Sequence, residues 1–146
     1  MPVTPQNPHH SSASREVSQR TVFLLEDDPL IMAELVETLE EFGWTVSYKT
    51  RSLEDGMQFA QHGAFGVAIL DIRIGERNSK QVARAVRSRH IPLVLCTGYS
   101  SPSLREKYPG VRILEKPFPA EKLRTVLEEV WIESVQAKAS QKRTLR

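Results

Sequence analysis

The sequence predicts a three-layer α/β domain built on a five-stranded parallel sheet. Three observations carry that reading. The run Val67-Ala68-Ile69-Leu70 is continuously apolar and ends on Asp71, as a strand buried on both faces would. Val22-Phe23-Leu24-Leu25 has the same grammar and runs into Glu26, Asp27 and Asp28. Short β-rich segments alternate with stretches whose apolar residues recur at helical spacing, the pattern of strands joined by crossover helices. In such sheets ligands bind beyond the carboxyl ends of the strands, where these acids fall.

Each element has its own local signal. A strand over Thr21–Glu26 is followed by Asp28-Pro29, an N-cap with proline in the first helical turn. Ile31, Leu35, Leu39 and Phe42 then mark one helix face, with Glu34, Glu37, Glu40 and Glu41 between them, and Gly43 closes the helix. Trp44–Lys49 reads as a strand by its aromatic and β-branched content. Ser52-Leu53-Glu54-Asp55 resembles a capping box and opens a helix to about His62, whose place at that end suits the helix dipole. Phe65–Asp71 is the third strand and Ile72–Asn78 a loop. A helix to about Arg89 follows, with Val82, Ala85 and Val86 inward and Lys80, Arg84, Arg87 and Arg89 on a basic face. Ile91–Thr97 is the fourth strand. Gly98–Pro109 is rich in Ser, Pro and Gly, so it holds at most a short helix, Pro102–Lys107. Val111–Glu115 is the fifth strand. After the stiff turn Lys116-Pro117-Phe118-Pro119, the last helix carries Leu123, Val126, Leu127, Val130 and Trp131 on one stripe.

Composition bounds the rest. A chain of 146 residues, 40% apolar and 26% charged, suits one domain with a real core. No apolar run nears the ~20 residues of a membrane span, and the N-terminus lacks the apolar core of a signal peptide. The single Cys96 rules out an intrachain disulfide, and no Cys/His cluster suggests zinc. These features point to a soluble cytoplasmic protein. Residues 1–19, rich in Pro, Ser, Gln, Asn and His, are expected to be a disordered arm on which His9 and His10 are solvated. The domain is expected over 20–133. The net charge of +2 hides an asymmetry: residues 21–133 hold 14 Lys/Arg against 17 Asp/Glu, whereas 134–146 hold four basic residues and no acid. That tail is expected to be disordered. Its charges lack interleaved aromatics, which disfavours a nucleic-acid contact.

Four strand ends carry reactive groups: Glu26-Asp27, Asp71, Thr97 and Lys116. Alone, each has an ordinary explanation as a cap, a turn former or a loop residue. Together, on neighbouring strands, they make one pocket. Three carboxylates that close require a cation or a raised pKa, and a hard oxygen site of this size suits Mg2+. Asp71 then reads as a carboxylate nucleophile toward phosphorus, Lys116 as a charge for the phosphoryl oxygens, and Thr97 as a hydroxyl donor.

The runs Phe23-Leu24-Leu25-Glu26-Asp27-Asp28-Pro29, Ile69-Leu70-Asp71, Cys96-Thr97-Gly98-Tyr99 and Leu114-Glu115-Lys116-Pro117-Phe118 resemble the receiver domain of two-component response regulators, over about residues 20–133. The resemblance implies the flavodoxin-like strand order 2-1-3-4-5, an order that receivers themselves illustrate. It implies that Asp71 accepts phosphate from a sensor histidine kinase. Asp27, Asp71 and the backbone carbonyl of Arg73 would bind Mg2+, with Glu26 acting through water. Thr97 would be the switch hydroxyl and Lys116 the phosphate-binding lysine. The Thr97-Gly98-Tyr99 run is similar to an alpha-proteobacterial receiver subgroup. Ile113 stands where many receivers carry a switch aromatic, so two routes are open: Tyr99 takes that role, or the loop after Gly98 itself orders on phosphorylation; a reduced or mobile fourth helix is expected. The implied protein is a single-domain regulator acting through protein contacts or phosphorelay. A histidine phosphotransferase or a downstream regulator are the further partners, and a weak homodimer is compatible with it. Two rivals remain. A pseudo-receiver would bind protein without taking phosphate. A haloacid-dehalogenase-like phosphatase needs a second Asp two residues on, where this chain has Arg73.

Overall fold

A computed structural model describes residues 20–144. The expectation for residues 1–19 lies outside that range. The elements are β1 (Thr21–Leu25), α1 (Pro29–Glu41), β2 (Thr45–Thr50), α2 (Leu53–His62), β3 (Val67–Asp71), β4 (Arg73–Ile74), β5 (Arg77–Asn78), α3 (Lys80–Ser88), β6 (Leu93–Thr97), α4 (Pro102–Lys107), β7 (Arg112–Glu115) and α5 (Ala120–Thr144). The main sheet is parallel, in the order β2-β1-β3-β6-β7. Setting aside the small β4–β5 hairpin, this is the expected flavodoxin-like order.

The continuous apolar runs are explained by two cores. Val22 and Leu24 of β1 face one layer, where Met32, Leu35 and Leu39 of α1 meet Leu123, Leu127 and Val130 of α5. Phe23 and Leu25 face the other, against Leu53 and Ala60 of α2 and Val82 and Val86 of α3. Because residues alternate between faces, a strand covered on both sides must be apolar throughout. Replacing a fully buried Leu127 by Ala would cost about 2–5 kcal/mol.

Caps set the helix starts. Asp28 Oδ1 accepts from Leu30 N (2.8 Å) and Ile31 N (3.2 Å), and Ser52 Oγ accepts from Asp55 N (3.2 Å). The register pairs Leu25 with Leu70, Asp71 with Cys96 and Thr97 with Glu115. The carboxyl ends of β1, β3, β6 and β7 are therefore level at one edge. At the opposite edge, Trp44 is buried before β2 and meets Trp131 of α5 edge-on, with ring centroids 5.6 Å apart. Arg20 lies over the Trp44 ring and pairs with Glu128.

Two expectations need correction. The segment after Asp71 is not a plain loop. Arg73 pairs with Asn78 and Ile74 with Arg77 in an antiparallel hairpin that turns at Gly75, with φ +63°. The tail from residue 134 is also not disordered over its described part, because α5 continues to Thr144. Residues 134–143 include Ala, Gln, Lys and Arg, good helix formers, with neither Gly nor Pro, and Lys142 and Arg143 suit the dipole at a helix C-terminus. Arg112 of β7 reaches Glu129 (3.4 Å) and Glu133 (2.6 Å) on α5. The short α4 spans the expected residues and buries none of them. Among the described residues no helix is long and apolar enough to cross a membrane.

Candidate functional site

The level strand ends bring Glu26, Asp71 and Lys116 together. Lys116 follows β7, whose pairing with β6 is extended by Lys116 N donating to the Thr97 carbonyl (2.7 Å). Its Nζ donates to Glu26 Oε1 (3.1 Å), Glu26 Oε2 (3.0 Å) and Asp71 Oδ2 (3.0 Å). Glu26 is only 2% exposed and Asp71 is buried. Burial pushes the Glu26 carboxyl pKa up, against the pull of the Lys116 hydrogen bond. For Lys116, burial works downward, but the bonds to Glu26 and Asp71 outweigh it and the ammonium pKa is raised. The ammonium is thus held charged between two carboxylates.

Asp27 stands apart from this trio. It is half-buried and its Oδ2 accepts from Gly75 N (3.0 Å) at the hairpin tip, while its carbonyl accepts from Arg51 Nε (2.9 Å). The expected pooling of three acids is therefore partial. Thr97 lies at the end of β6 as expected, but its hydroxyl is turned into its own loop. It donates to the Tyr99 carbonyl (3.0 Å) and accepts from Tyr99 N (3.2 Å). Tyr99 itself is 77% exposed. Arg73 N approaches Asp71 Oδ1 at 3.4 Å.

Ser79 is a site residue that sequence reasoning missed. A serine before a helix reads as an N-cap, yet it makes no side-chain cap bond to α3. Its buried hydroxyl instead donates to the Asp71 carbonyl (2.6 Å), and its amide donates to the Ile72 carbonyl (2.9 Å). It locks the backbone that presents Asp71. Cys96, one strand over, is buried and inert: desolvation pushes its thiol up to about 12.

Among the described residues no three acidic, histidine or cysteine side chains form a ready-made metal cage. The donor chemistry nonetheless fits a hard divalent cation. Glu26 and Asp71 share one ammonium, and Asp27, held by the Gly75 amide, adds a third carboxylate from the same strand end, which leaves an excess of negative charge with oxygen donors. A groove of about 220 Å3, lined by Ile31, Leu35, Phe118 and Leu123, adjoins Lys116.

Known proteins resemble this chain in sequence and fold. The family model described as the response regulator receiver domain matches residues 22–128. The transcriptional regulatory protein PdtaR of Mycobacterium tuberculosis is 26% identical over 113 residues, which cover 75% of this chain and 55% of PdtaR. The chain thus spans about half the length of the curated relatives it matches. The solution structure of SdrG from Sphingomonas melonis is 28% identical with a TM-score of 0.68, over 77% of this chain and 97% of SdrG. The receiver domain of a LuxO repressor protein from Vibrio parahaemolyticus has a TM-score of 0.74 at 17% identity, over 84% of this chain and 97% of that domain, and shares the fold. With its sheet order, its strand-end acids and a family match that spans most of its length, this chain belongs to the response regulator receiver domain family.

Proposed function

We propose that this chain is a phosphorylation switch in which Asp71 accepts a phosphoryl group from a sensor histidine kinase. The observation that carries the reading is the Lys116 ammonium bridging buried Glu26 and Asp71, at 3.0 Å from the Asp71 carboxylate. An Asp71 oxygen attacks phosphorus, the P–N bond to the donor imidazole breaks, and a phosphoaspartate forms. Glu26, Asp27, Asp71 and the Arg73 carbonyl would hold Mg2+, Glu26 through water. When bound, the ion supplies charge that screens the incoming phosphoryl group from the carboxylates. Lys116 keeps its charge throughout, and its hydrogen bond to Asp71 Oδ2 transfers to a phosphoryl oxygen.

Thr97 converts the new charge into a change of shape. To reach a phosphoryl oxygen its hydroxyl must leave Tyr99, so the loop after Gly98 loses both of its ties to Thr97. That loop leads into α4, which buries no residue and so resists little. The phosphoryl adds about −1.5 to −2 charge and biases this segment between two arrangements. The apolar groove between α1 and the Lys116-Pro117-Phe118 turn suits a helical kinase partner beside the site. The output is phosphorylation-dependent contact with a downstream regulator or relay to a histidine phosphotransferase.

The test is labelling of the chain with acetyl phosphate, or saturation with beryllofluoride, in Mg2+. Stable modification is expected in the wild type and none in Asp71→Asn. Modification that survives Asp71→Asn, or that never occurs in the wild type, would overturn the reading. The second outcome would favour a pseudo-receiver.

A further inference from the structure

Asp27 is held differently from its neighbours. Glu26 and Asp71 are ordered by an ammonium; Asp27 is ordered through one oxygen by a backbone N–H, Gly75 N to Oδ2 at 3.0 Å. The donor sits on a braced turn. Ile74 is buried in the core beneath α2 and α3, the hairpin pairs Arg73 with Asn78 and Ile74 with Arg77, and Arg77 is tied to Glu54 of α2 at 2.6 Å. Gly75 adopts φ +63°, and a Cβ built on it meets nothing within 4 Å. Space therefore does not demand glycine here. The left-handed backbone does, and that conformation is what aims the amide at Asp27.

We propose that Gly75 is a positioning residue for the divalent cation: its amide fixes Asp27 Oδ2 so that the other oxygen is offered to the ion. The proposal rests on the metal reading above. Carboxylates that ligate a metal are themselves held by outer hydrogen bonds, and losing such a bond typically lowers metal affinity about 10–100-fold. An unheld, half-exposed aspartate would have to be ordered at the moment of binding.

The experiment is calorimetric titration of the full chain with Mg2+ alone, together with melting in the absence of metal. Gly75→Val cannot hold the left-handed turn, since a β-branched residue is a genuine outlier there; Gly75→Asn can, and it keeps the N–H. Both are expected to fold, because Gly75 is exposed at the tip of a two-stranded hairpin outside the main sheet. Mg2+ binding should weaken by about 10-fold or more in Gly75→Val and by no more than about 3-fold in Gly75→Asn, on the scale of lost outer-shell bonds. In the wild type the Gly75 amide proton should stay protected from exchange when Mg2+ is added. Unchanged affinity in a folded Gly75→Val, equal weakening in both variants, or an amide released by Mg2+ would overturn the proposal. If Asp27→Asn abolishes binding and Gly75→Val does not alter it, only the positioning role fails. If the wild type takes up no Mg2+, the metal reading falls and this proposal with it.

Discussion

Lys116→Met keeps most of the side-chain stem and removes the charge that three hydrogen bonds share. Bonds to charged groups contribute about 1.5–3 kcal/mol each, so a simple sum over the Glu26 and Asp71 contacts overshoots. Glu26, 2% exposed, has an escape: it can take up a proton. From an unperturbed value near 4.3, protonation at pH 7 costs about 3.7 kcal/mol, which caps the penalty for that residue. At pH 5 the same cap is about 1 kcal/mol. Asp71 is closer to solvent and adds less. The expected loss is about 2–4 kcal/mol at pH 7 and about half of that or less at pH 5. The sign follows from burial raising the Glu26 pKa in the fold. A raised group favours the folded state below its unfolded pKa, and that support is lost as pH rises through the folded value. Removing lysine pushes the folded value higher still and widens the window. The assay is urea unfolding without divalent cations, comparing midpoints at unchanged m. The double variant Glu26→Gln/Lys116→Met should recover most of the loss. A loss under about 0.5 kcal/mol at pH 7, or one equal at both pH values, would refute the view that a buried carboxylate depends on this ammonium.

Asp28→Ala removes the acceptor of two first-turn amides and should lower stability by about 1 kcal/mol in urea unfolding. Cys96, with its thiol pushed to about 12, should resist a thiol-disulfide reagent at pH 8 in the native state and react only on unfolding; rapid native labelling would contradict its burial. Amides of Ser100–Tyr108 should exchange quickly without phosphate and slow down on beryllofluoride binding. Thr97→Ala should keep the modification of Asp71 yet lose that slowing, and retention of the slowing would break the link between hydroxyl and loop.

What the sequence revealed follows from how strongly each segment is constrained. β1 and β3 were legible because Val22, Phe23, Leu24 and Leu25 fill two cores at once, leaving no position free to be polar. The hairpin was hidden because two-residue strands carry no periodicity, and Ile74 is its one buried apolar residue among Gly75, Glu76, Arg77 and Asn78. The extension of α5 was missed because an apolar stripe is the signal of a packed helix, whereas residues 134–143 continue the helix through propensity and the lack of a breaker. At the site, the strand-end positions of Glu26, Asp71, Thr97 and Lys116 follow from the alternation of elements. Their partners do not. Lys116 reaching both acids, Thr97 turning to Tyr99 and Ser79 leaving its cap for the Asp71 carbonyl depend on distances that only the packed sheet sets.

Both tryptophans of the chain, Trp44 and Trp131, lie in one edge-on pair at the amino edge of the sheet, beside Arg20 and far from the acids at the carboxyl edge. Tryptophan emission therefore watches the seam between the start of β2 and α5 rather than the chemistry at Asp71. A flat fluorescence trace during phosphoryl transfer would say nothing about the switch. A change in it would mean that α5 had shifted on the sheet, a motion spanning the whole molecule.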